Sequence, residues 1–484
     1  MHAKPPWIRS LLLLTLGLLF GCDSTGPKNQ PPWVRITSPA TGLYVRAGEE
    51  VTITVEASDP DGSLRHVSVF IDGVLLGKRV GPPYEWTWQV DVDPPAAYRI
   101  LARAEDDLGA QSRHLLVVNT WWIYSRPEQT DDGWETASMT EVGMDSASLE
   151  GLVNLLHRTP DHLVHGILVV RHGKLVFEKY FDGIVHPTLG TYPVAYGRET
   201  PHVQSSATKS FTSALLGIAI DKGWILGLDQ RVSDFFPEFP WLAEGEKGTL
   251  TLRHMITMSA GLEWDQTSHP ILDPLNDIAV FQRSPDPWEM YFSRRLLVAP
   301  GTVFDYSEAC INVVGEAIKR ATGKRLDHFA EEYLFDPLGV EDPWWYLVWG
   351  HQDWIWASGD LRVRPRDMAK LGQMYLSGGR WKGEQIVSAD WVAQSGVPFH
   401  AWERDGRGRA GYGLAWWVMA PELGSGAYTA SGWGDQTILV LPEHDMVVVN
   451  TGGSYYDAPY LRSHQIAEAY VLPSIMGKDG SGIR

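Results

Sequence analysis

Cysteine is nearly absent: the 484 residues hold only Cys22 and Cys310. Two thiols cannot staple a chain of this length, so its fold must be held by packing rather than by a disulfide framework. Basic charge is also scarce. Lys and Arg number 41 against 59 Asp and Glu, a net charge of −18. That balance excludes nucleic acid as a partner, because a phosphate backbone needs a basic face. No glycine-rich phosphate loop and no dinucleotide fingerprint is present. His162, His165, His254, His269 and His351 stand in no zinc-ligating pattern with nearby acids. No metal and no cofactor is therefore expected. Long apolar runs are missing too. "LLLLTLGLLF" at 11–20 is ten residues long, about half of what a helix needs to cross a bilayer.

The abundant residue is tryptophan, with 22 copies. Rings of that size serve first as core and second as pocket walls. A length of 484 suggests two to three domains.

The N-terminal segment reads as a targeting signal. Lys4 and Arg9 precede the apolar run, and "LFGC" (Leu19, Phe20, Gly21, Cys22) follows it. This resembles the bacterial lipobox. The resemblance implies that residues 1–21 are a signal peptide and that Cys22 is lipidated. The mature chain is then anchored to a bacterial membrane in the cell envelope, facing the periplasm or the exterior. Residues 22–32, with "DSTGPKNQPP", form a polar tether. Cys310 is left without a partner and is expected in the core.

Residues 33–120 alternate apolar and polar positions between turn signals. Val51, Ile53, Val55 and Ala57 share one face; so do Val67, Val69 and Ile71, and so do Tyr84, Trp86, Trp88 and Val90. Asp72-Gly73 is a hairpin dipeptide. Short strands at this spacing predict a β-sandwich. "VRITSP", "ASDPDGSL", "VFIDGVLLG" and "PYEWTW" resemble the immunoglobulin-like modules of bacterial surface proteins, here expected to act as a spacer, with cell-wall glycan as the other possible ligand. Asp59, Asp61 and Asp106 are explained by turn chemistry, with calcium the alternative.

From 121 to 484 the pattern becomes mixed. "GILVVRHGKLVFEKYF" predicts two strands around His172-Gly173. Ser206–Lys222 predicts a helix with Phe211, Leu215, Ile218 and Ala219 on one face and Gly223 just past its end. Strands return in "GYGLAWWVMA", "YTASGWG" and "TILVLPEHDMVVVNTGG". A sheet built from both ends of this segment, with helices between, is expected.

"SSATK" carries the chemistry. Positions three apart on a helix are neighbours, so Lys209 can reach the hydroxyl of Ser206, whereas Ser205 has Thr208 at that spacing. Ser206 is the candidate nucleophile and Lys209 its base. The Ser206 amide, at a helix start, is free to face a developing oxyanion.

With its surroundings, this stretch resembles the serine β-lactamases and penicillin-recognising enzymes. The likeness is nearer to the class C-like branch of esterases and amidohydrolases such as 6-aminohexanoate-dimer hydrolase. "LTLRHMITMSAGLEWDQ", "PGTVFDYSEACINVVGEAIKRATGK" and "GYGLAWWV" also follow that pattern. The resemblance implies an α/β catalytic domain, with an antiparallel sheet flanked by helices and a helical subdomain. It implies that Tyr306 shares proton transfer with Lys209, and that the Trp433 amide joins that of Ser206 in the oxyanion hole. It places Glu308, where the family has asparagine, beside Lys209 and the substrate. Ser431 and Gly432 then border the substrate on the "ASGWG" strand, and Gln436 supports its turn. Ala430 stands where penicillin-recognising enzymes carry a cation. Trp264 and Trp356, with Trp433, are expected to line an acyl pocket. The activity expected is hydrolysis of an ester or amide in a small or peptide-like substrate through an acyl-enzyme. The alternatives are a β-lactamase or D-Ala-D-Ala carboxypeptidase, and a non-catalytic envelope sensor that keeps the fold.

Overall fold

The computed structural model describes residues 28–190, 192–271 and 273–476. Residues 1–27, which include Cys22 and the stretch expected to be a targeting signal, lie outside them. Among the described residues no helix is long and apolar enough to cross a membrane. The chain divides into two compact units, at Trp121 and Trp122.

The first unit has eight strands: β1 (Trp33–Ser38), β2 (Tyr44–Arg46), β3 (Glu50–Ser58), β4 (Leu64–Ile71), β5 (Val74–Arg79), β6 (Glu85–Gln89), β7 (Ala97–Asp106) and β8 (Gln111–Trp121). They form sheets in the orders β1-β3-β6 and β2-β8-β7-β4-β5. Side chains alternate across a strand, so Val51, Ile53, Val55, Val67, Val69, Trp86 and Trp88 meet in one core between the sheets. Asp72 and Gly73 both take positive φ, 46° and 85°, and turn β4 into β5 as a two-residue hairpin must. The Asp106 carboxylate accepts from the Leu108 and Ala110 amides and from Asn29 Nδ2. It closes its own turn.

The second unit is built on a nine-stranded sheet. Its strands are β9 (Glu135–Thr136), β10 (Val164–Arg171), β11 (Lys174–Tyr180), β12 (His400–Ala401), β13 (Arg409–Tyr412), β14 (Trp417–Met419), β15 (Tyr428–Gly432), β16 (Gln436–Leu441) and β17 (Met446–Gly452). The order is β12-β13-β14-β15-β16-β17-β10-β11-β9. The pairs are antiparallel apart from β9 with β11. β10 pairs with β17, Leu168 opposite Val449, and this ladder joins the two ends of the unit.

Three helices flank the sheet, α1 (Ala147–His157), α2 (Thr208–Asp221) and α4 (Pro365–Leu376), and α3 (Glu308–Thr322) packs on α2. On one face Leu168, Val170, Ala430, Ile438, Val447 and Val449 pack with α2 and α4. On the other, Ile167, Val169, Leu439, Leu441 and Val448 pack with Leu149, Leu152, Val153 and Leu156 of α1. Burial on both faces explains why these strands read as continuous apolar runs. α4 crosses so closely that a Cβ on Gly372 would lie 2.6 Å from Val447 Cγ1.

The helix expected from Ser206 begins two residues later. Ser205–Ala207 is a 3₁₀ turn, and the α-helix starts at Thr208. Ser205 stands in the left-handed region, φ 46°, and that break in the backbone sets the tighter turn. α2 is buried on every side from Thr208 to Ala219, so its interior carries more than the single predicted face.

Candidate active site

Ser206 sits half-buried on the turn that leads into α2. The turn is tied from several directions. The Gln204 amide donates to Leu361 O at 2.8 Å, and the Leu361 amide to Thr208 Oγ1 at 3.3 Å. Thr212 Oγ1 donates to Ala357 O at 2.6 Å. Ser205 Oγ lies 3.2 Å from Nε2 of buried His186. Burial pushes that imidazole down to about 4, so it is neutral at physiological pH. A left-handed non-glycine residue is a strained position that its surroundings must enforce, and these contacts do so.

Lys209, one turn on, is 2% exposed. Its Nζ donates to Ser206 Oγ at 2.9 Å, to Ser358 O at 2.8 Å, and to both oxygens of Glu308 at 2.8 Å. Burial alone would lower this ammonium's pKa. The Glu308 carboxylate and the Tyr306 phenol together outweigh it, and the net direction is upward. Lys209 is a held cation.

Glu308 opens α3. Ser307 caps that helix by accepting from the Cys310 amide. The Glu308 amide donates to Gln266 Oε1 at 2.9 Å, and Asn312 Nδ2 donates to Glu308 O at 2.9 Å. Asn312 also reaches Ser358 Oγ at 2.9 Å and accepts from the Ala357 amide at 3.1 Å. One buried asparagine thus fixes both the carboxylate's helix and the loop whose carbonyl meets Lys209. Asp360, on the same loop, has its carboxyl pushed up to about 6, by burial first and then by Glu308.

Tyr306 stacks on Trp417, centroids 5.7 Å apart and planes 17° from parallel. Lys209 Nζ lies 5.0 Å from its ring centroid. Burial raises the phenol and Lys209 draws it down, but Glu308 pushes it up again, and the net shift is upward. Tyr306 is therefore a neutral hydroxyl beside Lys209 and Ser206.

β15 runs directly beside the Ser205–Ala207 turn. A Cβ on Gly432 would stand 2.1 Å from Gln204 O and 3.0 Å from Ala207 N; only glycine lets the strand come this close. The next residue, Trp433, is locked by its indole, which donates to Tyr455 O at 2.6 Å and meets His186 edge-on. Gln436 Nε2 donates to Gly452 O at 2.6 Å and to Gly434 O at 3.3 Å. Asp435 accepts from the Ser463 amide and from Asn450 Nδ2. Together they brace the turn after Trp433.

The structure thus brings Ser206, Lys209, Tyr306, Glu308, Gly432 and Trp433 together. It does not do so for three other expected residues. Ser431 alternates with Ala430 and Gly432 and so faces the opposite side of the sheet. There it lines a cavity of about 290 Å³ with Arg407, Arg409 and Arg462. Trp264 and Trp356 are core residues, 8% and 5% exposed. Trp264 lies edge-on to Phe281 and Tyr291, and its indole donates to Gln266 Oε1 at 2.6 Å. Trp356 packs against Trp354. Both rings pack against Phe281 and fill the core there. Cys310 is buried beside Tyr291 Oη at 3.1 Å, and burial pushes its thiol up to about 11.

Sequence reasoning weighed Ser205 only as a rival to Ser206, and it missed His186, Gln266, Asn312, Ser358 and Asp360. Asn312 alone left a signal, standing one turn after Glu308 on the same helix face. The others are brought in by loops of unrelated sequence position.

A family model described as Beta-lactamase matches residues 142–462, and one described as Bacterial Ig domain matches residues 32–102. The 6-aminohexanoate-dimer hydrolase of Paenarthrobacter ureafaciens is 24% identical over 314 residues, which span 62% of this chain and 74% of that protein. Esterase EstB of Burkholderia gladioli is 28% identical over 215 residues, 42% of this chain and 53% of that protein. The crystal structure of a family VIII carboxylesterase aligns with a TM-score of 0.52 at 16% identity, covering 72% of this chain and 99% of that one. That last likeness is one of fold.

Proposed function

We propose that this chain, which belongs to the beta-lactamase family, hydrolyses an ester or amide through an acyl-enzyme on Ser206. The observation that carries the reading is the 2.9 Å contact between Lys209 Nζ and Ser206 Oγ, on a turn abutted by Gly432. Ser206 attacks the carbonyl carbon. Lys209 and Tyr306 handle its proton, and the Ser206 and Trp433 amides receive the oxyanion. Water then releases the acyl group. The names of the relatives point to small esters and amides as the substrate class. Lipidation at Cys22, which would hold the enzyme at a bacterial membrane with residues 22–32 as tether, belongs to the same proposal. So does the immunoglobulin-like unit as a spacer.

Ala430 supplies no cation for a β-lactam carboxylate, so penicillin-like substrates are expected to react poorly. The test compares p-nitrophenyl butyrate with nitrocefin and a D-Ala-D-Ala peptide. Ester turnover well above both supports the reading. Faster nitrocefin or peptide cleavage would move the assignment to a β-lactamase or carboxypeptidase, and acylation without turnover would favour a sensor.

Gly432→Ala tests the second wall of the site. The added Cβ meets backbone that cannot swing aside, so β15 must retreat from Ser206. Ester kcat/KM is expected to fall by about 10²-fold or more, the scale of losing one oxyanion donor. Thermal unfolding should register about 1–3 kcal/mol of overpacking. Wild-type kinetics in this variant would remove Trp433 from the oxyanion hole.

A further inference from the structure

We infer that Glu308 is the final acceptor of the nucleophile's proton: Lys209 takes the proton of Ser206 while handing one of its own to Glu308. The inference rests on the hydrolase reading and adds to it the base that the site otherwise lacks. A lysine accepts a proton only when neutral, and here a carboxylate at 2.8 Å holds it charged. Tyr306 is no substitute, since burial, with Glu308 adding to it, outweighs the attraction by which Lys209 would stabilise a phenolate.

The geometry suits the exchange. Lys209 has three N–H bonds and four oxygens around it. Passing one proton to a Glu308 oxygen leaves an amine with two N–H bonds. Rotation about Cε–Nζ then turns its lone pair to Ser206 Oγ, 2.9 Å away, and no heavy atom moves. Substrate that expels water from the site disfavours the separated charges and so favours the neutral pair. The other titratable groups facing this pair are Tyr306, Asp360 from the 356–361 loop and Tyr412 from β13.

The steps balance. As the Ser206 Oγ–carbon bond forms, the carbonyl electron pair moves to oxygen, the Ser206 proton moves to Lys209, and a Lys209 proton moves to Glu308. On collapse the bond to the leaving group breaks and the proton returns through Lys209 to that group. Water repeats the sequence and restores the Ser206 hydroxyl. In this relay Glu308 acts through Lys209.

The test is kcat/KM for p-nitrophenyl butyrate against pH, on the full chain, for the wild type, Glu308→Gln and Glu308→Asp. Fluorophosphonate labelling of Ser206 is followed in parallel. The wild type should be active through neutral pH, with an acid limb set by the carboxylate–lysine pair. Glu308→Gln should lose about 10²-fold or more at pH 7. Its limb should move up by about 2 pH units or more, because Lys209 must now shed a proton before it can act. Glu308→Asp should keep the low limb at a reduced rate, and it decides the matter if the glutamine variant does not fold. An unmoved limb with near wild-type rate in Glu308→Gln overturns the inference. So does a folded Glu308→Gln that stays inactive at high pH, or a lysine-like limb in Glu308→Asp. Absence of Ser206-dependent turnover in the wild type removes the hydrolase reading itself, and the relay with it.

Discussion

Ser206→Ala should abolish the fluorophosphonate adduct and lower ester hydrolysis by about 10⁴-fold or more, the scale seen when a hydrolase loses its nucleophile. The fold should survive. The substitution removes one half-buried oxygen and leaves the Lys209–Glu308 pair, the Ser358 carbonyl and the Gly432 contact in place. Ser205→Ala is the matched control, because the two serines are adjacent and only one faces Lys209. It loses the bond to His186 that helps hold the left-handed turn, so it should keep the adduct and lose about tenfold in rate. If Ser205→Ala loses the adduct and Ser206→Ala keeps it, the nucleophile has been assigned to the wrong serine.

Lys209→Met should damage stability and activity together. Taking one partner from a buried ion pair leaves the other charged and alone, and costs about 3–5 kcal/mol. Glu308, 7% exposed, then has no cation within bonding distance, and its carboxyl should take up a proton on folding. The loss should therefore shrink as pH falls. In the wild type the sign is opposite at the far end of the scale. Lys209 is held above its ordinary value of 10.5, so its contribution is complete below that pH and is lost only as pH rises beyond it. The double variant Lys209→Met with Glu308→Met should regain most of the stability and none of the activity, since apolar pairs replace buried ion pairs at little cost. Denaturant melts give the first number and ester kinetics the second. A single variant as stable as the wild type would mean that the pair is not buried as described.

The legible parts of this protein were those written in local spacing. Strand alternation placed Val51, Ile53 and Val55 inward, and the i, i+3 rule put Lys209 against Ser206 rather than Ser205. The Tyr306 segment was found by its likeness to a family, and so was Gly432, whose reason (backbone 2.1 Å from an absent Cβ) only the structure supplies. What failed to show was anything decided by which way a side chain turns in three dimensions. Trp264 and Trp356 look like pocket walls in a list of residues and are core in space. Ser431 sits in the right motif but on the wrong face, a difference of one residue in a period of two. Glu308 was visible as a departure from asparagine. Its place beside Lys209 was legible too; that both carboxylate oxygens share one ammonium was not.

The ladder between β10 and β17 also sets a timetable. β10 ends at Arg171 and its partner begins at Met446. At ribosomal rates of about 5–20 residues per second, roughly 15–55 s pass between making one and making the other. Through that interval β10 can pair only with β11, and its other edge offers bare amides and carbonyls along a run of apolar side chains. Until the last strands arrive, β15 lacks β16, the strand that joins it through β17 to β10, so the newborn chain is catalytically silent and at its most adhesive. Aggregation during synthesis, rather than loss of the finished fold, is then the step most exposed to changes near the C-terminus.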